Sequence, residues 1–130
     1  MTNSILITKY ILKILESNQS LKKLIPIKNI YPIDAKLGTK FPFAVIQRNS
    51  INVSSCKDGT YQDTVNFTIV VVDDNYIGCV TIANEIRKTL EGYGWRDDAM
   101  FVHDIRLTSA SETIYNDANI QQLEFTAVCD

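Results

Sequence analysis

The sequence is short of several things that would announce a chemistry. No apolar run approaches the ~20 residues that a membrane-spanning helix needs, so no membrane role is expected. The three cysteines, Cys56, Cys79 and Cys129, form no CxxC pair and are odd in number. That argues against a disulfide framework and against a zinc knuckle, and leaves them as free thiols. One histidine, His103, cannot by itself make a metal site or a hydrolytic triad. Thirteen basic residues against fifteen acidic ones give a net charge of -2. They form no clustered Lys/Arg stripe of the kind that neutralises phosphates, so specific nucleic-acid binding is not expected.

What is present is ordinary for a soluble globular chain: 130 residues, 45% hydrophobic and 22% charged. The length corresponds to one domain, 1–130, and is enough to bury roughly two thirds of the unfolded surface. In the opening MTNSILITKYILKILE, Lys9, Lys13 and Glu16 interrupt the apolar stretch and no small-residue cleavage site follows. The expectation is a mature, cytoplasmic start rather than a signal peptide.

Along the chain, Ser4 is positioned to cap a helix with an apolar face of Ile5, Tyr10, Ile11, Leu12, Ile14 and Leu15, with Asn18 near its end. Ser20 to Leu24 offer one more turn, and Pro26 then stops it. A short extended piece follows at Ile27 to Tyr31, then a surface loop from Pro32 to Pro42. Phe43 opens a strand running to about Ser54. In Thr64 to Val72, Val65, Phe67, Ile69 and Val71 alternate with Asn66 and Thr68, the period of two expected of a half-buried strand. Asp58-Gly59 between the two strands is a hairpin signal.

From Asn75 the period becomes helical through Tyr76, Cys79, Val80, Ala83, Ile86 and Leu90, ending at Gly92. Gly92 to Asp98 reads as a loop. Val102 to Glu112 and Ile120 to Val128 read as two more strands, joined across Tyr115 to Asn119. The fold class expected is α+β: an antiparallel β-sheet of about four to five strands with two α-helices packed on one face.

Candidate chemistry is sparse. VVVDDNYIGC, Val70 to Cys79, sets two carboxylates at a strand end, which is also how receiver domains hold magnesium. Such pairs sit near the N-terminus of an alternating α/β chain, which this is not. Asp73, Asp74 or Asn75 instead caps the following helix. Ser109 and Ser111 have no GxSxG elbow or second base around them. Gly92-Tyr93-Gly94 follows a helix rather than opening one, so it is not a phosphate loop. Asp97, Asp98 and Asp117 lack metal-ligand spacing. Tyr31, Tyr61, Tyr93, Trp95 and Tyr115 fall at strand ends or loops, where they serve equally as core edges or as protein-contact residues.

Taken in order, these segments resemble the small phage tail-completion proteins, the tail terminator or neck family. The matching features are the amphipathic N-terminal helix, Ile30-Tyr31-Pro32, and Phe41-Pro42 leading into Phe43 to Arg48. Asp58-Gly59, Val65 to Val72, the helix Ile82 to Leu90, and Tyr115-Asn116-Asp117 leading into Leu123 to Val128 complete them. The resemblance implies a non-enzymatic virion protein of the tail or neck, assembled in the host cytoplasm and using no cofactor. It further implies a hexameric ring of identical copies on the last ring of tail-tube subunits, facing the head-tail connector protein.

On that basis the candidate contact residues are Lys57, Asp58, Tyr61 and Asp63 in the hairpin turn and Asp34 and Lys36 in the preceding loop. Two other classes stand beside it. A ferredoxin-like small-molecule-binding or regulatory module requires a defined pocket. A small hydrolase requires Cys56, Cys79, Ser109 or His103 to converge with carboxylates.

Overall fold

A computed structural model of the protein describes residues 3–35, 38–55, 61–96 and 100–130. After a 3-10 turn at Ser4–Leu6 come helices α1 (Ile7–Glu16) and α2 (Gln19–Leu24), strand β1 (Ile30–Pro32) and the hairpin β2 (Phe43–Ser55) and β3 (Tyr61–Asp73). Helix α3 (Tyr76–Leu90) follows, then β4 (Trp95–Arg96), β5 (Phe101–Tyr115) and β6 (Ala118–Cys129). One sheet runs in the order β1-β2-β3-β6-β5-β4.

This corrects the expected fold class. The sheet has six strands rather than four to five, it is mixed and curled rather than purely antiparallel, and there are three helices rather than two. The parallel pair is β1 with β2, with Tyr31 opposite Val45. The short extended piece expected at Ile27 to Tyr31 is β1, shifted to Ile30–Pro32, and the added strand is β4; they are three and two residues long. Segments that short carry no periodicity, so their pairing is set by tertiary contacts and not by local pattern. The extra helix arises at Asn18. Rather than closing α1, its side chain accepts from Leu21 N at 3.1 Å and caps α2. Ser4 is likewise no cap; its hydroxyl donates to Asp63 Oδ2.

The core lies between the helices and one sheet face. Ile7, Ile11 and Leu15 of α1 recur every fourth residue and are fully buried, as are Cys79, Ile86 and Leu90 of α3. They meet Val65, Phe67, Ile69 and Val71 of β3 and Leu123, Phe125 and Ala127 of β6. Phe67 and Phe125 are opposite each other in the ladder and stack with centroids 5.3 Å apart. The β5–β6 turn is tighter than expected: Asn116 and Asp117 are its two central residues, with φ of 49° and 63°. Positive φ at both positions is what a two-residue type I′ hairpin needs, and Asn and Asp tolerate it. Past α3, Gly92 takes φ 80° and its amide donates to Ile105 O at 2.8 Å. Gly94 lets β4 close on β5, since a Cβ there would lie 2.7 Å from His103 O. The element order does not repeat the β-α-β-β-α-β unit of a ferredoxin-like module.

Candidate functional site

The acidic pair resolves into a strand-to-helix junction. Asn75 caps α3, its side chain accepting from Gly78 N at 2.8 Å. Asp73 is buried at the end of β3, and burial first, then the hydrogen bond with Asp74, raises its carboxyl above the usual range. Among the described residues no three of His, Cys, Asp and Glu gather into a metal-binding group.

The nucleophile and base candidates stay apart. His103 Nε2 lies 2.8 Å from Asp130 Oδ2 in an exposed pair. Ser109 is six residues further along the same strand, about 20 Å at ~3.3 Å per residue. Cys79 is fully buried against Val71 O and Asn119 O, and burial raises its thiol. Burial, with the charges of Asp63 and Asp130, pushes the Cys129 thiol up to about 12. Neither thiol is activated, because the reactive species is the thiolate and both environments disfavour it.

Of the candidate contact residues, Tyr61 starts β3 and is 45% exposed, and Asp34 is exposed beside β1. Asp63 is buried on the helix-covered face, accepting from Ser4. Lys36, Lys57 and Asp58 lie outside the described residues, as do Gly59, Asp97 and Asp98. Two of the aromatic residues converge with one that the sequence placed in the core. Tyr10, Tyr93 and Trp95 have ring centroids 5.9 and 6.0 Å apart and, with Lys13 and Arg96, line an open groove of about 540 Å³. Tyr115 is 68% exposed at the β5–β6 tip.

The main surface feature among the described residues is a pair of open sheet edges at diagonal corners, whose strands and placement the sequence did not assign. β1 covers β2 only at Ala44 to Ile46, and β4 covers β5 only at Phe101 and Val102. Through the ladder Ala44 is level with Val71, Gln121 and Glu112, whereas Val102 is level with Cys129, Asp63 and Val53. The two short strands therefore block opposite ends of the sheet. Gly92 N and Glu91 Oε2 engage Ile105 O and Leu107 N on the outer side of β5. Among the described residues, Gln47 to Ser55 of β2 and Thr108 to Tyr115 of β5 have no strand on their outer side. Those outer β5 residues are all exposed. The one signal for this in the sequence is Ile114, a large apolar residue isolated in a polar run.

The sheet face away from the helices is largely polar, and its charged residues on β5 and β6, Asp104, Arg106 and Glu124, leave a small negative excess. Thr126 Oγ1 donates to Asn66 Oδ1 at 2.8 Å, Asn66 Nδ2 to Ser50 Oγ at 3.0 Å, and Asn49 Nδ2 to Thr68 Oγ1 at 2.7 Å. These bonds run across β6, β3 and β2. Arg106 on β5 is held by Asp104 Oδ2 at 2.6 Å, so its charge is balanced locally.

No family model matches the chain, and no curated protein matches it. Among solved structures, it is similar to a chain of the virion of a native gene transfer agent (GTA) particle, at a TM-score of 0.74 and 16% sequence identity. The match covers 92% of this chain and 90% of that one, so the two share a fold over nearly their whole length.

Proposed function

We propose that the protein is a non-enzymatic structural subunit of a phage-like virion, a tail-completion or terminator subunit. It closes into a ring on the tail tube, six copies in the reading that the family resemblance implies, and faces the head connector. The observation that carries this is the shared fold with a virion chain over 92% of the sequence. The edges support the ring. An uncovered strand edge invites pairing, and two different edges on one molecule make a heterologous, head-to-tail contact that closes if the rotation allows.

The offset of the edges supports closure as well. Placing β2 of one copy beside β5 of the next, antiparallel, staggers neighbours by about six residues across about four interstrand spacings. With ~3.3 Å per residue and ~4.8 Å between strands, the strands then tilt by roughly 45°. That is the upper end of the ~35–45° that barrel closure needs. In such a ring the helices lie outside and the polar face lines the bore. A surface of Thr, Asn, Gln and Ser, with its arginine paired to Asp104 and with Glu124 adding a negative charge, lets DNA pass without gripping its phosphates.

Tyr61 and Asp34, with Lys57, Asp58, Asp63 and Lys36, remain the proposed contacts to the tail tube. Asp63 contributes through its hold on Ser4 rather than by direct contact. Light scattering over a wide concentration range tests the ring: a six-copy mass is expected. Val53→Lys with Ala110→Lys, which sets like charges on both edges, is expected to abolish it. A monomer at all concentrations, in solution and when mixed with tail tubes, overturns the reading.

A further inference from the structure

Beside β1, α1 and β2 leave a cleft of about 310 Å³ lined by Ile5, Thr8, Pro32, Ile33, Ile46, Gln47 and Arg48. Its apolar rim is unusually bare: Ile5 is 68% and Ile33 74% exposed. Ile33 also holds φ 70°, a left-handed conformation that is unfavourable for a β-branched residue. That conformation ends β1. Ile33 N still donates to Ile46 O at 2.9 Å, and the next residue is already off the sheet, which frees β2 from Gln47 onward. Arg48 is the one charged residue lining the cleft, its guanidinium held by Ile5 O at 2.7 Å.

The opposite corner carries the matching shape. The β5–β6 tip projects past the end of β3, because Tyr115 and Ala118 pair only with each other. It presents Ile114 at 64% and Tyr115 at 68% exposure, and Asp117 is its one charged residue. Ile114 is on the helix-covered face, like Ile46 and Arg48.

We infer that this cleft receives the β5–β6 tip of a second copy of the chain, with Ile114 packed between Ile5 and Ile33 and Asp117 near Arg48. The inference rests on the ring reading and makes it specific. The stagger of about six residues that pairs the free edges, counted at ~3.3 Å each, sets Ile114 beside Arg48 of its neighbour. The Asn116-Asp117 turn then abuts Ile33. β1 and the incoming β5 thus lie end to end along one strand, β2. Apolar groups meet apolar groups, and the single cation of the cleft meets the single anion of the tip.

The test uses the full chain with Cys56→Ser, which leaves Cys79 and Cys129, both buried. Ile33→Cys together with Ile114→Cys is treated with a short bis-maleimide, and the mass of each sample is read in parallel by light scattering. A ladder of covalent multimers from the double variant, and no multimer beyond a dimer from either single variant, is the expected result. Ile114→Lys, which sets a second cation beside Arg48 of the neighbour, is expected to raise the concentration for half-assembly at least tenfold with its thermal midpoint unchanged. A ring that forms normally while the double variant stays uncrosslinked overturns the cleft and leaves the ring reading intact. Absence of any assembled species, also in the presence of tail tubes, overturns both.

Discussion

Strand β3 and the outer half of β5 are built from different residues, one rich in Val, Ile and Phe and the other mostly polar, and meet different fates. In β3 every second residue from Asp63 to Val71 is buried, and the strand has a partner on each side. From Thr108 to Tyr115, β5 is exposed throughout and has one partner strand, β6. The first is held by a core; the second is held by a ladder and by few side-chain contacts. Tyr76 Oη and Gln121 Nε2 each donate to Glu112 Oε2 at 2.8 Å, which ties outer β5 to the start of α3. In the ring proposed above, this strand, which no core requires, is the one that meets the neighbouring copy.

That contrast can be broken by experiment, and the core offers the largest effect. Phe67→Ala is expected to cost about 3–5 kcal/mol of stability in urea unfolding, because it removes half of a fully buried stacked pair. A loss under about 1 kcal/mol would mean that β3 is no better anchored than β5.

The two regions are also expected to fail at opposite ends of the pH scale. Cys129 is in the core, and its thiol is raised from 9.0 to about 12. A raised group stabilises the fold fully below its unfolded value, so stability falls as pH climbs from about 9 towards 12. Glu112 runs the other way. Gln121, then Tyr76, hold its carboxyl below 4.5, so its contribution is present above that value and is lost as pH drops through the lower folded one. Amide exchange should show outer β5 opening first in acid and the Cys129 end of β6 opening first in alkali. Simultaneous opening of both regions at either extreme would erase the distinction.

The smallest expected effect is the most discriminating. Ile114→Ala should leave urea stability of the unassembled chain within about 0.5 kcal/mol, because an exposed side chain has little to lose. A cost near that of Phe67→Ala would place Ile114 in a core of its own subunit.

Much of the fold was legible where one period dominates. The alternation of Val65, Phe67, Ile69 and Val71 announced β3, and the helical spacing of Cys79, Ala83, Ile86 and Leu90 announced α3. What escaped was set by contacts distant in sequence. β4 and the exact bounds of β1 are too short for any pattern, and Asn18 suits the end of one helix as well as the start of the next. Ser4 was assigned to capping by its type, but its hydroxyl is taken by Asp63, 59 residues away. An open sheet was expected to have edges, but which strands form them was illegible for a further reason: an unpaired backbone looks the same in sequence as a paired one. Only the topology reveals which strands lack a neighbour.

The diagonal placement of β1 and β4 has a consequence for how such a chain evolves. Strand register is ordinarily enforced by the pattern of side chains, since a slip of one residue turns every group to the wrong face. In the ring proposed above, register is enforced by two mechanical stops. An incoming β5 halts against the end of β1, and an incoming β2 halts near β4. Edge residues such as Asn49, Ser50, Asn52, Ser109 and Ser111 are then released from the work of alignment and can drift. Two lineages could keep the same joint while sharing almost no letters along it.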